Sequence, residues 1–234
     1  MPKQAPQRIR YVRASDGVQL AWADASSGPV LVKAANWLTH LEDEWDSRVW
    51  SHWIRFLCRH FRLVRYDERG CGMSDWEADD LSLERRVEDL ETVIAAAGLK
   101  EPFAMLGISQ GGATCVAFAV RHPELVSHLV LYGAYARGMA RRGDPEAART
   151  YQAIIDLARF GWGQDNPAFR QVFTSRFIPG ATEEQIGWFN DLCRKTTSPR
   201  MAAALMESRA AVDAVSYLER VRTPTLVLHA RDDA

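Results

Sequence analysis

The chain has 234 residues, 47% hydrophobic and 25% charged, with a formal net charge of −1. That length and balance describe one globular domain, with or without an insertion, able to bury a substantial core. Near-neutral charge excludes the bulk basic field that would draw nucleic acid or an anionic membrane, and no apolar run approaches the ~20 residues that cross a bilayer. The four cysteines (Cys58, Cys71, Cys115, Cys193) form no C-x-x-C pair and no zinc-spaced cluster with histidine. Free thiols, a reducing cytoplasmic setting and no metal are therefore expected. The opening MPKQAPQRIR lacks the apolar core of a secretory signal.

IRYVRA (9–14) and VQLAWAD (18–24) alternate as strands, and Asp16-Gly17 between them marks a hairpin. PVLVKAA (29–35) is a continuous apolar run, as in a strand buried on both faces. From Asp46, the spacing of Val49, Trp50, Trp53, Ile54 and Leu57 predicts a helix. FRLVRYD (61–67) is the next strand. Ser82 caps a helix carrying Val87, Leu90, Val93 and Ile94 that ends near Gly98. PFAMLGI (102–108) reads as a strand, 110–121 as a helix stopped by His122-Pro123, and SHLVLYG (127–133) and TPTLVLHA (223–230) as two more strands. The alternation predicts an α/β fold, a mostly parallel sheet with helices on both faces and an antiparallel hairpin at its start.

The stretch 134–222 is far longer than the ~30 residues of a whole βαβ unit. It holds three helix starts, at Asp144-Pro145, Thr182-x-x-Gln185 and Ser198-Pro199. A helical cap at 134–222 is therefore expected, inserted into a core made by 1–133 and 223–234. Tyr151, Phe160, Trp162, Phe169, Phe173, Phe177, Trp188 and Phe189 would pack it and partly line a ligand cavity. Arg137, Arg141 and Arg142 read as a solvated basic face.

Within FAMLGISQGGATCVAF (103–118) lies G-x-S-x-G, here Gly107-Ile108-Ser109-Gln110-Gly111, where a strand pattern becomes a helix pattern. A serine hydroxyl is a poor nucleophile until a base takes its proton and its oxygen faces the substrate. A sharp strand-to-helix turn does the second job, and its close backbone approaches favour glycine at both flanks. The helix N-terminus adds free N–H groups, and the Gln110 N–H would face the oxyanion of a tetrahedral intermediate.

With this elbow, YDERGCGMSD (66–75) and TPTLVLHARDD (223–233), the chain resembles the α/β-hydrolase fold family from about residue 8 to its last residue. The resemblance implies a serine hydrolase of esters or related acyl substrates, with no cofactor and a small-molecule substrate. Chain order in the family is Ser, then acid, then His; the acid carried over is Asp233, with Asp232 the near alternative. No histidine follows Asp233 before the sequence stops at Ala234, so the resemblance implies a base outside it, a C-terminally truncated fold, and little turnover by this segment alone. Among the histidines present, only His40 follows the oxyanion loop; the others read as packing, strand or surface residues. The second oxyanion donor is expected at the backbone N–H of Asn36 or Trp37 in KAANWLTH (33–40), which lacks the family's usual His-Gly. In the turn after residue 66, Asp67 and Arg69 are expected to be structural, with Gly70 and Gly72 permitting the reversal. NWLTHLEDEWDSRVW (36–50) also resembles hydrolase-like domains joined to LuxR-type DNA-binding or nucleotide cyclase domains. A ligand-sensing module with a fused regulatory domain is therefore an alternative, as is cofactor-free haloperoxidase-like activity.

Overall fold

A computed structural model describes residues 7–164, 173, 174, 177, 178 and 180–231. Seven strands, β1 (Arg8–Arg13), β2 (Gln19–Ala25), β3 (Val30–Lys33), β4 (Arg62–Tyr66), β5 (Phe103–Ile108), β6 (Val126–Tyr132) and β7 (Thr225–Leu228), form one sheet in the order β1-β2-β4-β3-β5-β6-β7. β1 and β2 pair antiparallel, as do β2 and β4; every other pairing is parallel. The expected α/β sheet with its leading hairpin is what forms.

Successive residues of the central strands face opposite sides, and two clusters record this. Val32, Val64 and Met105 pack under α3 (Leu83–Ala96) and α4 (Gly111–Arg121), while Leu31, Leu63 and Leu106 pack against Ile54 and Cys58 of α2 (Ser51–Cys58). Helices thus cover both faces. β7 is an edge strand whose Leu226, Val227 and Leu228 are exposed.

The helix expected from Asp46 divides in two. Asp46 is the C-cap of a short α1 (Leu41–Trp45), and α2 begins only at Ser51. Ser47 Oγ accepts from the N–H groups of Val49 (2.9 Å) and Trp50 (2.8 Å), closing a turn that takes up donors a continuous helix would have used. Elsewhere the caps behave as the sequence predicts. Ser82 Oγ accepts from Arg85 N–H (3.2 Å), and Asp144 caps α5 (Pro145–Gly161) with Pro145 in its first turn. Thr182 and Gln185 complete a capping box at the start of α6 (Glu183–Thr196), and Ser198 caps α7 (Pro199–Ala211).

Helices α5, α6 and α7 form a second apolar cluster with Trp37 and Leu38, centred on Ile155, Ala158, Trp162, Phe189, Leu192 and Met201. These helices lie within the stretch expected as a cap, and their cluster takes in the loop that follows β3. Val212 and Ala214 pack in the sheet's own core, with Tyr217 of α8 (Val215–Leu218) beside them. Of the cap aromatics, Phe160 points to solvent, 74% exposed, and Phe169 lies outside the described residues.

The turn after β4 joins core to cap. Arg69, 1% exposed, donates from Nε and Nη2 to Asp89 of α3 (2.7 and 2.6 Å) and from Nη1 to Asp16 of the hairpin (2.6 Å). Burial alone would lower its pKa, but these bonds hold it above the ordinary arginine value. Asp67 takes no part in that pairing; its Oδ2 accepts from the N–H groups of Leu41 (3.0 Å) and Met73 (2.9 Å). Gly72 has φ +62, and a Cβ there would lie 2.4 Å from Asp67 Cγ, so only glycine fits. Its N–H donates to Thr196 O of the cap (2.7 Å), and Thr197 Oγ1 donates back to Gly70 O (2.6 Å). Both residues are structural, as expected. Replacing Arg69 with Met strands the Asp89 carboxylate in the interior. We expect a loss of about 3–5 kcal/mol, read as a lower midpoint in urea denaturation.

Candidate active site

Ser109 sits between β5 and α4 with φ +53, a left-handed conformation that side chains other than glycine rarely adopt. Its neighbours force that geometry. A Cβ on Gly107 would lie 2.6 Å from Gly112 Cα, one on Gly111 2.9 Å from Ala35 O, and one on Gly112 2.4 Å from Ala134 Cβ. These three absences of side chain let α4 rest directly on β5, on the chain leaving β3, and on the chain leaving β6. Ser109 N–H donates to Tyr132 O (3.0 Å) and Gly112 N–H to Ser109 O (3.1 Å), pinning the turn from both sides. The sequence reading identified Gly107 and Gly111; Gly112 is an equal partner, signalled only by the doubled glycine.

The turn delivers Ser109 to a cavity of about 650 Å³ between sheet and cap. Trp37, Trp50, Phe177, Phe189, Tyr135 and Tyr151 line it together with Arg142 and Arg209. Trp37 is stacked on Trp162 (5.5 Å between centroids) and edge-on to Phe173 (5.6 Å). Of the expected cap aromatics, Tyr151, Phe177 and Phe189 reach the cavity, while Trp162 and Phe173 are buried behind it.

Both expected oxyanion segments line this cavity: Asn36 and Trp37 in the loop after β3, and Gln110 at the start of α4. The Gln110 backbone N–H makes no hydrogen bond among the described residues. Its side-chain amide, oriented by its neighbours, donates to Ser109 Oγ (3.2 Å) and accepts from Arg209 Nε (3.1 Å) and from Trp37 N–H. An amide oxygen therefore stands in front of the Trp37 N–H. The Asn36 side chain is turned to Lys33, accepting from its Nζ.

The profile of the alpha/beta hydrolase fold matches residues 41–234. The chain belongs to the alpha/beta hydrolase fold family. It is 31% identical over 232 residues to the pyrrolizixenacetamide deacetylase of Xenorhabdus hominickii, covering 96% of this chain and 81% of that one. It is 25% identical over 212 residues to the pimeloyl-[acyl-carrier protein] methyl ester esterase of Nitrosomonas europaea, covering 88% and 78%. Among solved structures, an esterase from Exiguobacterium antarcticum superposes with a TM-score of 0.76 at 24% identity, covering 93% of this chain and 79% of that chain.

In this hydrolase fold the expected acid, Asp233, and its alternative Asp232 lie outside the described residues. His40 does not line the cavity: it is the N-cap of α1, its Nδ1 accepting from Asp43 N–H (3.2 Å). His229, expected inside a strand, instead follows the end of β7 and lines the cavity beside Ala230. No helix among the described residues is long and apolar enough to cross a membrane.

Sequence reasoning missed Arg209 altogether. It lies in α7, far along the chain from the elbow, and no motif surrounds it. Only 3% exposed, it pairs with Glu68 of the turn after β4, itself 4% exposed, and its guanidinium lies 5.2 Å from the Trp37 ring centroid. Tyr135, beside it on the wall, has its pKa pushed up to about 12 by burial.

The strain at Ser109 is measurable without any substrate. A non-glycine residue held in the left-handed region costs ~1–3 kcal/mol, against ~0.5–1 kcal/mol for the extra chain entropy that glycine loses. Ser109→Gly is therefore expected to be more stable than Ser109→Ala by roughly 1 kcal/mol. Equal denaturation midpoints for the two variants would show an unstrained turn.

Proposed function

We propose that the protein is a serine hydrolase acting on an ester or related acyl substrate, with Ser109 as nucleophile. One observation carries the reading. A serine in a forced left-handed turn, at the N-terminus of α4, opens onto a cavity lined also by Tyr151, Phe189 and Arg209 of α5, α6 and α7. Such a turn has no packing purpose that a relaxed loop would not serve better, whereas it places a hydroxyl where a carbonyl carbon can approach it.

In this reading Ser109 Oγ gives up its proton to a histidine base and adds to the acyl carbon. The carbonyl oxygen becomes an oxyanion, held by the N–H of Gln110 and by that of Trp37 or Asn36. The substrate oxygen displaces the Gln110 amide from Trp37, exchanging one acceptor for another. Collapse of the intermediate expels the alcohol or amine, which takes the proton from the histidine, and water then releases the acid by the same route. Asp233 orients the base, which in the family's order follows it in the chain. The names of the relatives, an esterase and a deacetylase, agree with cleavage of an acyl bond.

Hydrolysis of p-nitrophenyl butyrate by the full-length protein tests this. Ser109→Ala is expected to lower kcat by ~10³-fold or more while leaving the fold intact by circular dichroism. Undiminished turnover in the folded variant would assign the reaction to another group.

A further inference from the structure

The charges around the cavity bear on the nature of the acyl chain. Two arginines, Arg142 and Arg209, line the cavity wall, and no carboxylate does so among the described residues. Arg209 is held by Glu68, but a second buried guanidinium, Arg86, lies in the same cluster, donating from Nη2 to Ser208 Oγ, the residue preceding Arg209. Among the described residues Glu68 pairs with Arg209, and Arg86 makes no ion pair of its own. Burial, and after it the charge of Arg209, lower the Arg86 pKa, against the raising effect of Glu68. Donors are also left over: Arg209 Nη1 and Arg86 Nε are buried with no hydrogen-bond partner. A buried guanidinium N–H without an acceptor is costly, and an excess buried cation more so.

Arg142 completes the same wall. Its guanidinium lies 5.4 Å from the Tyr135 ring centroid, and its Nε donates to Arg137 O (3.1 Å). Tyr135 stands with these two arginines on the cavity lining. Arg209 Nε bonds the same Gln110 amide that bonds Ser109 Oγ, so the cationic wall and the proposed nucleophile are one residue apart.

We infer that the substrate's acyl portion carries a carboxylate, which Arg209 and Arg142 receive while its ester carbonyl reaches Ser109. The inference rests on the serine hydrolase reading and narrows it to half-esters or half-amides of dicarboxylic acids and acyl groups of like charge. The carboxylate supplies a counter-charge for the two arginines on the cavity lining. The aromatic residues of the lining hold the leaving group or the methylene chain.

The test compares p-nitrophenyl half-esters of succinic, glutaric and adipic acid with neutral straight-chain p-nitrophenyl esters of equal carbon number, on the full-length protein, with spontaneous hydrolysis subtracted. At least one half-ester is expected to exceed its neutral partner in kcat/KM by about tenfold or more, the equivalent of one charge-assisted hydrogen bond. Arg209→Met is expected to lower that ratio about tenfold. Because Arg209→Met also leaves Glu68 unpaired, Arg209→Lys is run beside it; it keeps a cation for Glu68 but lacks the second donor arm, and the ratio should fall there too. Neutral esters turned over as well as every half-ester would overturn the inference and leave the serine hydrolase reading standing. Calorimetric titration with free adipate separates the two further. Adipate bound by wild type and lost in Arg209→Lys supports the carboxylate site even if no ester is cleaved, whereas no binding of any of the three diacids, together with no half-ester preference, removes it.

Discussion

The absence of side chains at Gly107, Gly111 and Gly112 governs the arrangement of this molecule. With nothing projecting there, α4 settles onto the strands at backbone contact distance, and the chain between β5 and α4 has no room for an ordinary bend. Ser109 is left to absorb the reversal in a left-handed conformation. The same closeness places the start of α4, with the Gln110 N–H, beside the serine and the loop that carries Asn36 and Trp37. Side-chain direction, helix-end electrostatics and the adjoining loop are consequences of one packing constraint.

A second constraint fixes the cap. The turn after β4 is tied to the hairpin and α3 through Arg69, to the cap backbone through Gly70 and Gly72, and to α7 through Glu68 and Arg209. A cap resting only on apolar contacts could shift as a body. One tied to the sheet by a buried charge pair keeps its register, since breaking the pair leaves a charge stranded. The roof of the cavity therefore holds a defined position over the elbow, and Arg209 acts in both settings, as a strut and as part of the cavity wall.

Local signals were legible in the sequence wherever the chemistry is local. Ser82, Asp144, Thr182 and Ser198 cap helices because their oxygens reach N–H groups two or three residues on, and such offsets are written in the chain. The elbow was legible because its glycines lie next to the serine. The helix expected from Asp46 was misplaced because Ser47 offers a competing turn, a contest between near neighbours that periodicity does not resolve. Arg209 was invisible for the opposite reason. Its partners Glu68, Gln110 and Trp37 come from three distant segments, and only the fold brings them together. Arg142 is solvent-exposed, as its sequence neighbourhood says, and the 3-10 turn at Met139–Arg141 sets it at the edge of the cavity as well.

The claim beneath all of this is that Ser109 Oγ is a reactive group in an accessible site. Treating the folded full-length protein with a fluorophosphonate and mapping the adduct by peptide mass spectrometry addresses it directly. The account predicts a single phosphonylated residue, Ser109, with labelling lost in Ser109→Ala. A folded protein that stays unmodified, or carries the adduct on a different residue, would contradict it.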